Sequence, residues 1–87
     1  MEKFKAKIID PIGLHARPAA IVSKTASRFK SDIFISGKDK EANLKSIMNV
    51  MALGIKKGDE FEIKANGPDA AEALMAIKQV MLDEKMI

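Results

Sequence analysis

Residues 3 to 9 alternate, with Phe4, Ala6 and Ile8 on one side and Lys3, Lys5 and Lys7 on the other. That period of two predicts a half-buried strand with a solvated face. Asp10-Pro11-Ile12-Gly13 ends the strand and turns the chain. From Ala16 to about Phe29 the period becomes helical. Ala19, Val22, Ala26 and Phe29 form the buried stripe, while Arg17, Lys24 and Arg28 share another side, flanked by Ala20 and Ile21. Ser31 to Ser36 predicts a second strand, Gly37-Lys38-Asp39 a hairpin turn, and Glu41 to Leu44 a polar edge strand.

Asn43-Leu44-Lys45-Ser46 leads into a short second helix, Ile47 to Leu53. Gly54 is placed to close it in the left-handed conformation, with Ile55 making the accompanying apolar contact. After a turn at Lys56-Lys57-Gly58-Asp59, alternation returns over Glu60 to Ala65, with Phe61, Ile63 and Ala65 inward. The glutamates of this strand would complement the lysines of the first if the two were neighbours. Asn66-Gly67-Pro68-Asp69 turns the chain again, and Asp69 with Glu72 resembles a capping box. Ala70, Ala73, Leu74, Ile77, Val80 and Met81 make the stripe of a last helix. The order β-α-β-β-α-β-α, with one apolar face per strand, predicts an α+β fold: a two-layer open-faced sandwich with helices on one side of a mostly antiparallel sheet.

At 87 residues the chain predicts a single domain over 1–87, and a hydrophobic content of 47% is enough for one core. It has no cysteine, which removes disulfides, thiolate nucleophiles and cysteine zinc sites. No apolar run approaches the roughly 18 residues of a membrane span, and none looks like a signal peptide. The net charge of +3 is mild, and with no Trp or Tyr and four Phe a nucleic-acid surface is poorly supported.

The candidate chemistry sits at Gly13-Leu14-His15-Ala16-Arg17-Pro18-Ala19, which holds the only histidine. Pro18 suits an early helical position, so His15 belongs at or beside the N-cap, next to unsatisfied backbone N–H groups. Arg17 adds a fixed positive charge and a planar fork of donors. The plain reading is a surface or capping histidine. A metal site would need distant carboxylates, so no metal and no cofactor is expected. A hydrolase would need an orienting acid and base that the sequence does not place nearby. Transient capture of a phosphoryl group on the imidazole, with its oxygens held by helix N–H groups and Arg17, fits the residue types. Ser46 reads as a plain N-cap, which does not exclude a regulatory phosphate there. In the second helix Val50 and Leu53 can face the core. Ile47, Met48 and Met51, with Ile55 beyond, are expected to form an exposed patch able to adapt to more than one partner.

Taken together, Gly-Leu-His-Ala-Arg-Pro-Ala at 13 to 19 and Asn-Leu-Lys-Ser-Ile-Met at 43 to 48 resemble the two motifs of the histidine-containing phosphocarrier (HPr) family of the bacterial sugar phosphotransferase system. The resemblance covers nearly the whole chain. It implies a sheet of order 1-4-2-3 and a cytoplasmic, monomeric carrier rather than a self-sufficient enzyme. It implies that His15 accepts a phosphoryl group on Nδ1 from phosphorylated enzyme I and passes it to a sugar-specific IIA component, with Arg17 steadying the phosphate. It implies that Ser46 is the target of an HPr kinase/phosphorylase, and that partners dock over the first two helices at Ala20, Lys24, Arg28, Ile47, Met48 and Met51. It implies neither nucleic-acid binding nor membrane insertion. Ile12 departs from the family pattern, where a polar residue is common. Two alternatives remain at this level: a purely regulatory protein acting through phospho-Ser46, and a small basic nucleic-acid-binding module.

Overall fold

A computed structural model describes residues 2–87. Its elements are β1 (Glu2–Lys7), α1 (Ala16–Ala26), β2 (Asp32–Gly37), β3 (Lys40–Asn43), α2 (Ile47–Ala52), β4 (Glu60–Asn66) and α3 (Ala70–Asp83). The strands form one antiparallel sheet in the order β1-β4-β2-β3. Register explains the order. β1 and β4 set Lys5 opposite Glu62 and Lys7 opposite Glu60, while Ala6 meets Phe61 and Phe4 meets Ile63 on the other face. Lys3 faces Lys64, an unfavourable pair, but Lys64 is turned to Glu41 at 3.0 Å and its charged form is favoured by that carboxylate.

The helices cover the apolar face. Ile33, Ile35, Ile63, Ala65 and Phe61 from the sheet meet Val22, Ala26, Val50, Ile77 and Met81. Removing each large aliphatic side chain from water contributes about 1.5–3 kcal/mol. Beyond β1, Ile8 is buried and bonded on both sides, its N–H to the Asp59 carbonyl and its carbonyl to the Gly58 N–H. The β2–β3 hairpin turns on Lys38 and Asp39 alone, both at positive φ, while Gly37 pairs with Lys40 as the last residue of β2. That is the left-handed geometry of a two-residue hairpin.

Three expectations change, and one further change is a contact that the sequence did not suggest. α1 ends at Ala26, not Phe29, so Arg28 lies in the following turn with its guanidinium 5.9 Å from the Phe29 ring centre. Near the helix end, Thr25 Oγ1 donates to the Ile21 carbonyl and Ser27 Oγ to the Ser23 carbonyl, side-chain bonds that compete with regular continuation. Ile55 is 2% exposed and packs under Gly37 rather than joining the outer patch. Finally, the residues after α3 join the core: Met86 is buried, and its carbonyl accepts from the Ile9 N–H at 2.8 Å.

The fourth change concerns Asp69. It occupies the N-cap of α3 but makes no capping bond. Its carboxylate instead accepts from the Lys30 N–H, the Ser31 N–H and the Ser31 hydroxyl, clamping the α1–β2 connection. The Ser31 hydroxyl, and then the Lys30 N–H, hold this carboxyl at about 2, below its ordinary 3.8. A carboxyl depressed in the folded state stabilises the fold above its unfolded value and loses that contribution as the folded group protonates. Asp69→Asn is therefore expected to melt below wild type at neutral pH. The gap should narrow as pH falls from about 3.8 towards about 2 in a series of thermal melts. A gap that stays constant over this range would show that the charge of Asp69 is not what holds the clamp.

Candidate functional site

His15 is the N-cap of α1, in extended backbone at φ −91° and ψ −169°. Its carbonyl accepts the first helical bond, from the Ala19 N–H at 2.9 Å, but its ring makes no capping bond. The imidazole therefore stands at the positive end of an 11-residue helix without being used to complete it. The N–H groups of Ala16 and Arg17 have no protein acceptor among the described residues, and Pro18 contributes none.

The loop leading to His15 is fixed by close backbone contact. Gly13 has φ +84°, and a Cβ there would lie 2.7 Å from both the Ile55 carbonyl oxygen and Lys56 Cα. The Leu14 N–H donates to the same Ile55 carbonyl at 2.9 Å, and Leu14 is buried. Before it, Asp10 Oδ1 accepts from the Ile12 N–H at 2.9 Å, which leaves the Ile12 side chain 71% exposed. Gly13 is thus needed for proximity as much as for turning.

A cleft of ≈ 370 Å³ brings His15 and Arg17 together with Asp10, Pro18, Ile21, Glu84 and Met86. The sequence pattern indicated the first pair. It did not reveal Glu84 and Met86, which arrive from beyond the last apolar stripe. The only sequence signal was the apolar Met86-Ile87 pair after α3. A larger groove of ≈ 550 Å³ lies between β3 and α2, but it contains neither His15 nor Ser46. Among the described residues, the His15 cleft is the one with a nucleophile, a guanidinium and free helix N–H groups in one place. Such a set can receive a tetrahedral anion and attack it.

Ser46 does not line that cleft. It is the N-cap of α2, its Oγ accepting a long 3.4 Å bond from the Asn49 N–H. Beside it, Lys45 Nζ donates to the Phe29 carbonyl at 2.8 Å, tying the approach to α2 to the turn after α1. The outer arc of α2 is exposed as expected: Met48 by 81%, Met51 by 43% and Ile47 by 41%, while Val50 and Leu53 are buried. Lys24 and Arg28 are exposed, and Ala20 is half-buried.

A family model described as "PTS HPr component phosphorylation site" matches residues 2–83. The chain belongs to the HPr family. The phosphocarrier protein HPr of Mycoplasma capricolum is 55% identical over 87 residues, covering 100% of this chain and 98% of that protein. A solved mycoplasma histidine-containing phosphocarrier protein superposes with a TM-score of 0.97 at 55% identity, covering 99% of this chain and 98% of that one. The crystal structure of HPr from Thermoanaerobacter tengcongensis gives a TM-score of 0.90 at 39% identity, covering 98% and 94%. As an HPr chain this is a phosphocarrier of the phosphotransferase system and not an enzyme by itself. No helix among the described residues is long and apolar enough to cross a membrane.

Proposed function

We propose that His15 is the phosphoryl acceptor, loaded by enzyme I and discharged to a sugar-specific IIA component during sugar uptake. The observation that carries this reading is the uncommitted imidazole at the N-terminus of α1, sharing one cleft with Arg17. The Nδ1 lone pair attacks phosphorus in line as the bond to the donor breaks. The N–H groups at the start of α1 and the Arg17 guanidinium offset the charge on the phosphoryl oxygens. The reverse transfer to IIA uses the same contacts, so the site need only hold the group briefly. The exposed arc of Ile47, Met48 and Met51, with Ala20, Lys24 and Arg28, is the partner surface in this reading, and the carrier works in the cytoplasm.

The test is incubation with phosphoenolpyruvate and enzyme I, followed by mass spectrometry before and after mild acid. One phosphoryl group, lost in acid, is expected. An acid-stable group, or none, would overturn the assignment.

Ser46 is read as the regulatory position, a substrate of an HPr kinase/phosphorylase. α1 and α2 contain no acidic residue, so a phosphate at Ser46 would add a strong negative charge to the surface the two helices form. Ser46→Asp is expected to slow loading by enzyme I about tenfold, the effect of one opposed charge at a docking surface, with an unchanged far-UV circular dichroism spectrum. A collapsed spectrum would assign the effect to lost capping of α2 instead.

A further inference from the structure

The chain has no cysteine, tryptophan or tyrosine, but it has six methionines. No thiolate competes for an oxidant, so the polarisable thioethers are its softest groups. Met1 lies outside the described residues, and burial divides the others. Met81 and Met86 are sealed in the core at 0% and 1% exposure, so the methionine that lines the His15 cleft is shielded. Met48, Met51 and Met75 stand exposed. Met48 and Met51 share the outer arc of α2, while Met75 lies on α3 beside Phe4 and Lys78.

Met48 is the most exposed of the three, and the core does not depend on it: within α2 the buried residue is Val50. A change at its sulfur alters the surface and leaves the fold alone. That sulfur can attack a hydroperoxide. An S–O bond forms, the O–O bond breaks, and the leaving hydroxide takes up a proton. With hydrogen peroxide the products are one sulfoxide and one water; sulfur loses the two electrons that the peroxide gains. A polar S–O group then stands where an apolar thioether stood. In solution its oxygen is hydrated. Under an apolar partner face it gives up that water and becomes a buried acceptor without a donor, which weakens docking.

We propose that Met48, with Met51 beside it, is an oxidation site through which a hydroperoxide reversibly withdraws this carrier from its partners. The proposal rests on the reading of the α2 arc as partner surface. Its effect differs in kind from that of a phosphate at Ser46. The sulfoxide adds a dipole and no net charge, so the loss does not fade as salt rises. A thiol-dependent sulfoxide reductase reverses the step: two thiols become a disulfide, the oxygen leaves as water, and the thioether returns.

The test begins with hydrogen peroxide treatment, removal of the peroxide by desalting, and peptide mapping by mass spectrometry. Added oxygen is expected on Met48, Met51 and Met75, and not on Met81 or Met86. The kcat/KM for loading by enzyme I and phosphoenolpyruvate is then measured for wild type, Met75→Leu and Met48→Leu/Met51→Leu. Each oxidised protein is compared with its own untreated form, so any direct effect of leucine cancels. Oxidation is expected to lower kcat/KM of wild type and Met75→Leu by about three- to tenfold, mainly through KM. The loss should be alike at low and high salt, leave the far-UV circular dichroism spectrum unchanged, and be undone by a sulfoxide reductase. Met48→Leu/Met51→Leu should be nearly insensitive. An equal loss in that variant, no loss in wild type oxidised at Met48, or a collapsed spectrum would overturn the proposal. Untreated Met48→Asp separates the premise from the proposal. If it loads as fast as wild type, the reading of the arc as partner surface fails and the proposal with it; if it loads slowly while oxidation is harmless, the proposal alone fails.

Discussion

His15→Ala is expected to take up no acid-labile phosphate from phosphoenolpyruvate and enzyme I, where wild type takes up one group per chain. The expectation is a total loss rather than a slowed rate because His15 is the only histidine and no thiol exists to replace it. Folding should be nearly untouched. The ring makes no hydrogen bond to the helix it precedes, so removing it costs less than the roughly 1 kcal/mol of losing an engaged N-cap side chain. Circular dichroism and a thermal melt alongside the labelling separate the two effects. Retained labelling in a folded variant would mean that the acceptor lies elsewhere.

The second large effect is expected at Gly13, and it couples stability to activity. In Gly13→Ala the new Cβ would be 2.7 Å from two backbone atoms, the Ile55 carbonyl oxygen and Lys56 Cα. Neither can rotate away. The left-handed backbone alone costs roughly 1–2 kcal/mol, and parting the two loops must add to it. For a domain of this size each kcal/mol lowers the melting temperature by about 4–8 °C. The Leu14–Ile55 bond that sets the entry to His15 should be lost with it, so loading by enzyme I should slow as well. Gly58→Ala is the control: its φ is +89°, but nothing lies within 4 Å of the added carbon. Equal losses in the two variants would show that backbone conformation, not close approach, is what Gly13 provides.

Much of this was legible in the chain. Alternation at Phe4-Ala6-Ile8 and Phe61-Ile63-Ala65 reports strands with one buried face, and both are found. The Lys and Glu faces of β1 and β4 correctly indicated that they are neighbours. The stripe of α3 is inside, with Val80 half-buried. What escaped depends on partners far away in sequence. Asp69 and Glu72 have the spacing of a cap, yet Asp69 reaches back 38 and 39 residues to Ser31 and Lys30. No periodicity contains that. Ile55 follows the exposed arc of α2 and its local pattern groups it there, although Gly37, a strand away, leaves the space that receives its side chain.

The candidate site divides in the same way. His15 and Arg17 lie two residues apart in the sequence and their chemistry is local, so the residue types alone allow anion capture. Glu84 and Met86 enter the cleft only because the chain after α3 folds back onto Ile9. A helix running on to Phe29 would set Arg28 on a regular strip with Arg17 and Lys24. Serine and threonine side chains bonding to their own helix end it earlier, and Arg28 stacks on Phe29 instead.

The helices all lie on one side of the sheet, which leaves Lys3, Lys5 and Lys64 on the opposite surface. That surface is a ready place for a reporter. The chain has no cysteine, so one introduced at Lys3 would be the sole thiol, and it would remove the unfavourable juxtaposition with Lys64. A fluorophore or an immobilising linker attached there leaves the face bearing His15 turned towards solution. Each handover of the phosphoryl group could then be timed on a single tethered molecule.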